Sequence, residues 1–366
     1  MNTRPSRLTR RGFVKSLTVA AAGLAAGLPA QGAPAPRLGV KLGFDNFSLR
    51  ALGWKAGQFL DYAAAQQLDS MFFSDLKVYQ SHDGSYLKDL KNKAGDLGLD
   101  IQVGTFSICP TSKSCTKDYG TPEEHLALAI RIAQTLGSPI VRCVLGNMED
   151  RKVEGGIERQ IAETVKVLKA VRGRAREAGV KIAVENHAGD MQAWELVNLI
   201  EAAGPDFVGA TMDSGNATWA LEDPLRNLEV LGPYALTTGI RDSVVWETED
   251  GAKVQWTAIG EGSVDFPAYV RRYVELCPKT TFQLEIISGF ALSFPYLKPD
   301  YMKAFPKARA QDLAAFLAYQ KRGQPLDPFK APSGRDARQA EQDYQKAELE
   351  RSLRYCKEAL GLGQKA

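Results

Sequence analysis

The feature that most constrains the fold of this chain is an alternation of short apolar runs with longer amphipathic stretches between residues 38 and 322. Short apolar runs are typical of strands covered on both faces, and amphipathic stretches at helical spacing indicate helices. Eight such strand-then-helix units, with no linker between them, favour a single parallel (β/α)8 barrel, a TIM barrel, over a doubly wound sheet. The predicted strands span residues 38–48, 70–76, 100–108, 139–146, 180–187, 207–216, 234–243 and 281–289.

Two segments lie outside this repeat. Residues 244–248 and 252–257 flank the turn Glu249-Asp250-Gly251, which predicts a hairpin after strand seven, lying over the barrel mouth. Residues 335–360 have the pattern of a polar amphipathic helix, which would either dock on the barrel or mediate a homo-oligomer. The predicted parts are a leader at residues 1–33, a barrel at 38–322 and a C-terminal helical extension at 323–366.

The first 33 residues carry five basic side chains and no acidic one. The pair Arg10-Arg11 precedes Phe13, an Ala/Gly-rich apolar run and a small-residue region at 30–33, which together resemble a bacterial twin-arginine signal peptide. The apolar run is too short and too rich in Ala and Gly for a stable membrane span, so no stable membrane insertion is expected. We therefore predict a periplasmic or otherwise exported protein, translocated folded through the twin-arginine pathway.

Outside this leader the charge of the chain is nearly balanced. The whole sequence has 46 basic and 43 acidic residues, whereas residues 34–366 have 41 basic and 43 acidic residues. No basic block survives removal of the leader, so a nucleic-acid partner is disfavoured.

The five cysteines do not have the spacing of a zinc motif. Cys109 and Cys115 are separated by a short polar loop, so one disulfide between them is an alternative in an exported protein. Cys143 lies inside an apolar strand, where a plain buried thiol is expected.

Carboxylates stand at the ends of three predicted strands. Glu185 ends strand five, Asp213 lies near the end of strand six, and Glu285 lies on strand eight. Because barrel active sites form at the C-terminal ends of the strands, these three side chains should converge. Three converging carboxylates cannot all stay ionised without a cation, which predicts a metal site. An oxygen-rich ligand set suits Mn²⁺, Mg²⁺ or Ca²⁺ better than structural zinc.

Five short motifs in this order resemble the xylose-isomerase-like barrel superfamily, the sugar isomerase and epimerase group, over residues 38–322. They are Val184-Glu185-Asn186-His187, Met212-Asp213-Ser214-Gly215-Asn216, Ile240-Arg241-Asp242, Gly260-Glu261-Gly262-Ser263-Val264-Asp265-Phe266 and Leu284-Glu285-Ile286. Endonuclease-IV-type nucleases are relatives, but they bind three zinc ions through several histidines. This chain has three histidines in all, so the nuclease function is disfavoured.

The resemblance implies a divalent metal ion held by Glu185, Asp213 and Glu285 together with a histidine of strand seven. Mn²⁺ is the first expectation, with Mg²⁺, Co²⁺ or Zn²⁺ as alternatives. The position of that histidine is occupied by Gly239. We predict Gln255 of the hairpin as the substitute ligand, because an amide oxygen can ligate a hard metal ion. A surface role for Gln255, or a degenerate site without metal, are the alternatives.

Five further side chains are predicted to contact substrate. Arg142 and Arg241 lie on strands with their side chains toward the barrel mouth, where a guanidinium needs an anion or carbonyl oxygens. For Arg142, a salt bridge to a site carboxylate is the alternative to a substrate contact. His187 and Asn216 follow the motif carboxylates in sequence. Trp256 of the hairpin would stack on a sugar ring or, alternatively, pack within the hairpin.

The resemblance implies a metal-dependent sugar isomerase or epimerase that acts on a keto-sugar, a small-molecule carbohydrate, by removing the proton α to the carbonyl. Glu185 and Glu285 would serve as the catalytic bases. One alternative is a lyase or hydrolase that cleaves a 3-keto-glycoside by β-elimination, because the same proton abstraction leads to loss of a β-substituent. Another is a non-catalytic periplasmic carbohydrate-binding barrel.

Overall fold

The computed structural model describes residues 35–365, so the predicted export signal lies outside the described residues. In chain order its strands are β1 (Leu42–Asp45), β2 (Ser70–Phe73), β3 (Asp100–Ser107), β4 (Ile140–Val144), β5 (Lys181–Glu185), β6 (Val208–Asp213), β7 (Ala235–Gly239), β8 (Asp242–Thr248), β9 (Gly251–Thr257), β10 (Phe282–Leu284) and β11 (Ala291–Phe294). Eight of them form one parallel sheet, in the order β10-β1-β2-β3-β4-β5-β6-β7. The remaining three form a separate antiparallel sheet.

The eight-stranded sheet curls into a nearly closed barrel. The first and last barrel strands pair directly, with Leu42 opposite Phe282. The other edge is joined by an isolated parallel bridge between Ile240 and Leu284, where the Ile240 amide donates to the Gln283 carbonyl oxygen at 2.8 Å. The predicted TIM barrel is therefore confirmed.

Helices fill the connections between the strands. They are α1 (Ala56–Ala65), α2 (Gly84–Asp96), α3 (Pro122–Leu136), α4 (Gly156–Ala178), α5 (Ala193–Ala203), α6 (Ser214–Trp219), α7 (Pro224–Leu231), α8 (Phe266–Leu276), α9 (Pro299–Met302), α10 (Ala310–Gln320) and α11 (Ala337–Glu358). Local sequence sets their ends: α3 starts with a capping box between Thr121 and Glu124 and stops at Gly137, which has a left-handed conformation. Among residues 35–365, no helix combines the length and apolar character needed to cross a bilayer.

The hairpin predicted after strand seven is present as β8 and β9, but it extends further than the sequence suggested. Strand β11 pairs antiparallel with β9 and makes the hairpin a three-stranded sheet. The predicted eighth barrel strand, 281–289, ends at Leu284, because the chain turns out of the barrel and reaches this sheet. Val245, Val254 and Phe294 contribute to a second hydrophobic cluster there, packed partly by Phe316 of α10.

The C-terminal helix α11 docks on the barrel. Its buried side chains Leu349, Leu353 and Cys356 belong to the same hydrophobic cluster as the barrel interior. The Ala51 amide donates to Gln345 Oε1 at 2.9 Å, and the Tyr62 hydroxyl donates to Glu350 at 2.9 Å. Docking is thus the observed alternative, and the formation of a homo-oligomer stays a prediction.

The disulfide considered for Cys109 and Cys115 is not formed, since both are free thiols. Cys109 is buried, and its Sγ contacts the side chains of Thr111 and Gln160. The Cys109 sulfur therefore contacts these polar groups and not Cys115. Cys143 is a buried thiol within β4.

Candidate functional site

The structure brings Glu185, Asp213 and Glu285 together at the C-terminal end of the barrel. Glu185 and Asp213 are the last residues of β5 and β6, and Glu285 directly follows β10. One carboxylate oxygen from each of these buried residues lies within 4.8 Å of the other two. We refer to these residues as the carboxylate triad. The convergence follows from the parallel sheet, because all strand ends meet on one rim.

Glu185 is held from two sides. The Arg142 Nε donates to Glu185 Oε2 at 2.5 Å, and Arg142 Nη1 donates to the Thr105 carbonyl oxygen at 2.9 Å. The Asn216 Nδ2 donates to the other oxygen, Glu185 Oε1, at 3.1 Å. Arg142 and Asn216, both predicted to contact substrate, therefore fix the orientation of a triad carboxylate.

Asn216 lies on a helix, not on strand six as predicted. The strand ends at Asp213 because the Asp213 Oδ1 accepts a hydrogen bond from the Asn216 amide at 2.7 Å and so caps α6. The cap also orients Asp213, whose amide in turn donates to Asn186 Oδ1 at 2.9 Å. The cap thus both ends the strand and positions two site residues, Asp213 and Asn216.

Arg241 links the other two carboxylates. Its Nη2 lies 2.8 Å from Asp213 Oδ2 and donates a hydrogen bond to Glu285 Oε2. The indole ring of Trp256 lies over the guanidinium, 4.1 Å from its centre, and the Trp256 Nε1 donates to the Gly215 carbonyl oxygen at 3.1 Å. Trp256 therefore reaches the site, and in this structure it stacks on a cation.

Burial and the charges of the cluster together shift the pKa values of its acids in opposite directions. Burial raises the pKa of Asp213 well above its usual value, and the nearby Arg241 charge only partly offsets this effect. Burial acts the same way on Glu285, but the charges of Arg241 and Arg142 outweigh it and lower the pKa of Glu285. Glu285 is accordingly ionised at neutral pH. A fourth buried carboxyl, Asp45, has a pKa raised by burial and by the charge of Glu285.

The strand-seven corner of the site has no side chain. A Cβ atom added at Gly239 would lie 3.1 Å from Asp213 Oδ2 and 3.3 Å from Glu285 Oε2, so this position does face the triad. The predicted substitute, Gln255, is elsewhere: its Nε2 donates to the Asp327 carbonyl oxygen at 3.3 Å. Neighbouring residues of a strand point to opposite faces, so Gln255 points away from the face on which Trp256 meets Arg241. The structure therefore gives Gln255 no place in the triad.

The carboxylate triad could bind a metal ion, by the chemistry of its donors. Three carboxylates from three strands are the oxygen ligands that hard divalent ions prefer. The Asp213 Oδ2 is buried and, although close to Arg241, is not aligned for a hydrogen bond with any described residue. This oxygen thus has no aligned hydrogen-bond donor and would be available to an ion if Arg241 moved away. The identity of an ion is not defined by these contacts.

His187 lies at the cavity wall, beside the triad. Its Nδ1 is 2.6 Å from the Gly146 carbonyl oxygen, which can only accept, so Nδ1 carries the proton. Its amide donates to Asp190 Oδ1 at 2.8 Å, and burial raises the pKa of Asp190 to about 8. Burial lowers the pKa of His187 itself. The His187 ring is therefore neutral, and its Nε2 is available as a hydrogen-bond acceptor.

The titration of His187 yields a prediction about stability. The unfolded chain protonates this ring near pH 6.5 and the folded protein only at lower pH, so the unfolded state binds more protons in that interval. The contribution of His187 to stability is therefore complete above pH 6.5 and falls as the pH drops below it. We expect wild type to lose more unfolding free energy than His187→Gln between pH 7.5 and 5 in urea titrations. Equal losses would contradict a lowered pKa of His187.

The cavity above the triad has a volume of about 320 Å³ and combines polar and aromatic walls. Its polar lining includes Arg142, His187, Asn216, Arg241 and Glu285. The aromatic walls are Phe47, Phe106, Trp219, Trp256 and Phe290. Sequence reasoning identified only Trp256 among these five rings. Phe106 could also have been predicted as a site residue, since it is an aromatic residue next to the end of an apolar strand, at the rim where barrel sites form.

The class of protein follows from this barrel and site: the sequence pattern of the Xylose isomerase-like TIM barrel family matches residues 40–276, and the chain belongs to this family. The comparison with curated proteins gives no match. Among solved structures, D-psicose 3-epimerase in the presence of D-fructose is similar, with 12% identity over 88% of this chain and 99% of that chain and a TM-score of 0.57.

Two other similar structures differ in what they bind or do. A xylose isomerase-like TIM barrel protein from Mycobacterium smegmatis, in complex with magnesium, has 14% identity over 78% of this chain and 100% of its own, with a TM-score of 0.53. The probable 3-DHS dehydratase AsbF of Bacillus anthracis has 13% identity over 67% of this chain and 92% of its own, with a TM-score of 0.51. At these identities the similarity defines the fold.

Proposed function

We propose that this protein is a sugar isomerase or epimerase that removes the proton α to the carbonyl of a keto-sugar. The observation that carries the proposal is the pair Glu185 and Glu285, two buried carboxylates beside two guanidinium groups at a cavity with aromatic walls. The similarity of the fold to D-psicose 3-epimerase supports the same class of reaction.

The glutamates supply the bases. Glu285 lines the cavity and has a lowered pKa, so it is in the form that accepts a proton from carbon. Removal of the α-proton leaves an enediolate, and we propose that Glu185, which is held by Arg142 and Asn216, exchanges the second proton. Return of a proton to the opposite face of the same carbon gives the epimer, and return to the neighbouring carbon gives the isomer.

The arginines stabilise the charge that develops on the substrate oxygen. Arg142 and Arg241 both line the cavity and are held by carboxylates and by a carbonyl oxygen before any substrate arrives. Preorganised donors of this kind act without the cost of reorienting solvent during the reaction. A divalent ion that displaced Arg241 from the carboxylate triad would supply polarisation of the carbonyl in its place.

Solvent deuterium exchange tests this function directly. The purified full chain is incubated in D₂O with candidate ketoses, with and without added Mn²⁺, and the α-proton is followed by NMR. We expect its loss from one or more ketoses, with formation of an epimer or isomer. Sugar binding without any exchange in either condition would instead support the non-catalytic carbohydrate-binding barrel.

A second candidate function, β-elimination from a 3-keto-glycoside, is favoured by the aromatic rings at the cavity opening. Phe47 and Phe106 remain 43% and 41% exposed, although both line the cavity. Exposed apolar rings beside a polar site suit an aglycone that extends beyond the sugar. In this reaction the α C–H bond breaks with its proton passing to a glutamate, a C=C bond forms, and the C–O bond to the aglycone breaks as its oxygen takes a proton.

A substitution at the cavity opening separates the two candidate reactions, isomerisation or epimerisation of a ketose and β-elimination from a 3-keto-glycoside. Phe106→Ala removes an aromatic contact worth about 0.5–1.5 kcal/mol. We therefore expect KM for an aryl 3-keto-glycoside to rise about 3- to 10-fold, with little change for a free ketose. Steady-state assays of both substrates measure this difference. Equal effects on the two substrates would remove the support that Phe106 gives to the lyase.

Export through the twin-arginine pathway to the periplasm is part of this proposal. It rests on Arg10-Arg11 and the apolar run that follows them. Exported members of a carbohydrate-active family would meet glycosides outside the cytoplasm, which agrees with either candidate reaction.

A further inference from the structure

Arg241 occupies the corner of the site that the strand-seven residue leaves open. Gly239 faces Asp213 and Glu285 without a side chain, and the Arg241 guanidinium binds the same two oxygens, Asp213 Oδ2 and Glu285 Oε2, that a Cβ at Gly239 would approach. A cation of the chain itself therefore lies where two triad ligands meet.

This guanidinium is held firmly in its place. The Arg241 amide donates to Ser214 Oγ at 2.9 Å, and the Ser214 hydroxyl donates back to the Arg241 carbonyl oxygen at 2.7 Å. Gly215 makes room for the side chain, because a Cβ there would lie 2.7 Å from Arg241 Cδ. Trp256 covers the guanidinium at 4.1 Å. Contacts to the backbone, the aliphatic part and the guanidinium of Arg241 thus all hold the side chain in place.

The two arginines also provide the charge that a divalent ion would provide. The triad carries three carboxylates, and Arg142 and Arg241, which are 4% and 3% exposed, pair with all three of them. Two guanidinium groups carry the same total charge as one divalent ion. The buried negative charge is therefore largely compensated without a metal.

A metal ion cannot share the ligands while Arg241 stays in place. A divalent ion bound to Asp213 and Glu285 would lie about 2.0–2.6 Å from their oxygens, within the space that Arg241 Nη2 occupies. We propose that Arg241 is the resident cation of the carboxylate triad, and that this barrel binds a divalent ion only in competition with it.

Binding of Mn²⁺ to the wild-type full chain tests the proposal without any substrate, so its outcome is independent of the proposed function. Free Mn²⁺ is measured by its electron paramagnetic resonance signal after dialysis of the protein against EDTA and then buffer. We expect only weak binding, with a Kd of about 1 mM or higher. One equivalent bound with a Kd of about 1 µM or lower would overturn the proposal.

Arg241→Met supplies the second arm, because methionine keeps an unbranched apolar stem and removes the guanidinium with its charge. We expect this variant to bind one Mn²⁺ per chain at least about tenfold more tightly than wild type. If the variant unfolds easily, Mn²⁺ should raise its Tm and leave the Tm of wild type unchanged. Unchanged Mn²⁺ affinity together with an unchanged Tm response would overturn the proposal.

Two control variants separate the effect of a cation at position 241 from the effect of the net charge of the protein. Arg241→Lys keeps a cation at the site and should bind Mn²⁺ as weakly as wild type. Arg351→Met removes an equal charge from an exposed arginine that pairs with Glu261 and Glu348, both outside the triad, and it should also behave as wild type. Tighter Mn²⁺ binding by Arg351→Met, equal to that of Arg241→Met, would mean that net charge and not competition controls affinity, which would contradict the proposal.

Discussion

Replacing Glu285 with glutamine is expected to slow proton exchange into the keto-sugar by about 10²- to 10⁴-fold, the usual contribution of a positioned acid or base. Glutamine keeps the size of the side chain and its contact with Arg241 but cannot accept the α-proton. Glu285 is the triad member whose pKa is lowered and which lines the cavity, so it is the base most ready for the first step. Glu185→Gln should cause a loss of similar size if the second proton passes through it.

The control for these variants is a glutamate that is equally buried but remote from the cavity. Glu222 accepts hydrogen bonds from the Ala193 amide and from Asn227, and burial raises its pKa to about 8. Glu222→Gln should therefore retain exchange activity, because neither Glu222 nor its hydrogen-bond partners line the cavity. Exchange rates are measured by NMR in D₂O at saturating sugar. Full activity in both Glu185→Gln and Glu285→Gln would exclude these residues as the bases.

Replacing Arg151 with methionine is expected to lower the free energy of unfolding by about 3–5 kcal/mol, the usual cost of leaving a buried charge without its partner. Arg151 pairs through two nitrogens with Glu195, at 2.7 and 2.9 Å, and donates to the carbonyl oxygens of Asp190 and Ala304. The ring of Phe305 lies 4.1 Å from its guanidinium. One side chain thus joins the loop after β4 to the start of α5 and to the segment before α10.

The next residue in the chain is the matched control. Lys152 forms an exposed ion pair with Glu149, with side-chain exposures of 49% and 69%. Lys152→Met should change the free energy of unfolding by less than about 1 kcal/mol, because exposed ion pairs contribute little. Urea titrations of both variants give the comparison. A loss below 1 kcal/mol for Arg151→Met would mean that its partners are compensated by water or by rearrangement.

The barrel and the carboxylate triad could be predicted because both follow from local patterns. Apolar runs identify the strands, and a carboxylate at the end of such a run must reach the common rim of a parallel sheet. The predicted end of strand six lies three residues beyond the observed one, since a cap from Asp213 to Asn216 competes with strand geometry. In a sequence, such a cap is visible only as an Asp in front of a helix. The helix here has only six residues, so its helical pattern is short.

The pairing of Arg241 could not be predicted. A salt bridge to a site carboxylate is one of the two expectations for Arg142, which does pair with Glu185, whereas Arg241 is expected to contact substrate and instead pairs with Asp213 and Glu285. The same limit applies to β11, whose partner β9 lies more than thirty residues earlier, and to Gln255, whose orientation depends on the register of that pairing. These features depend on contacts between distant segments, and no local pattern encodes them.

The docking of the C-terminal segment has a consequence for how the chain can fold. The Ala35 amide donates to the Glu358 carbonyl oxygen at 3.0 Å, the Leu38 amide to that of Gly361 at 2.9 Å, and the Gly363 amide to that of Val40 at 2.9 Å. The segment that leads into the first strand therefore gains these partners only once residues 358–363 have been synthesised. The fold of residues 35–365 is complete only when its two ends meet.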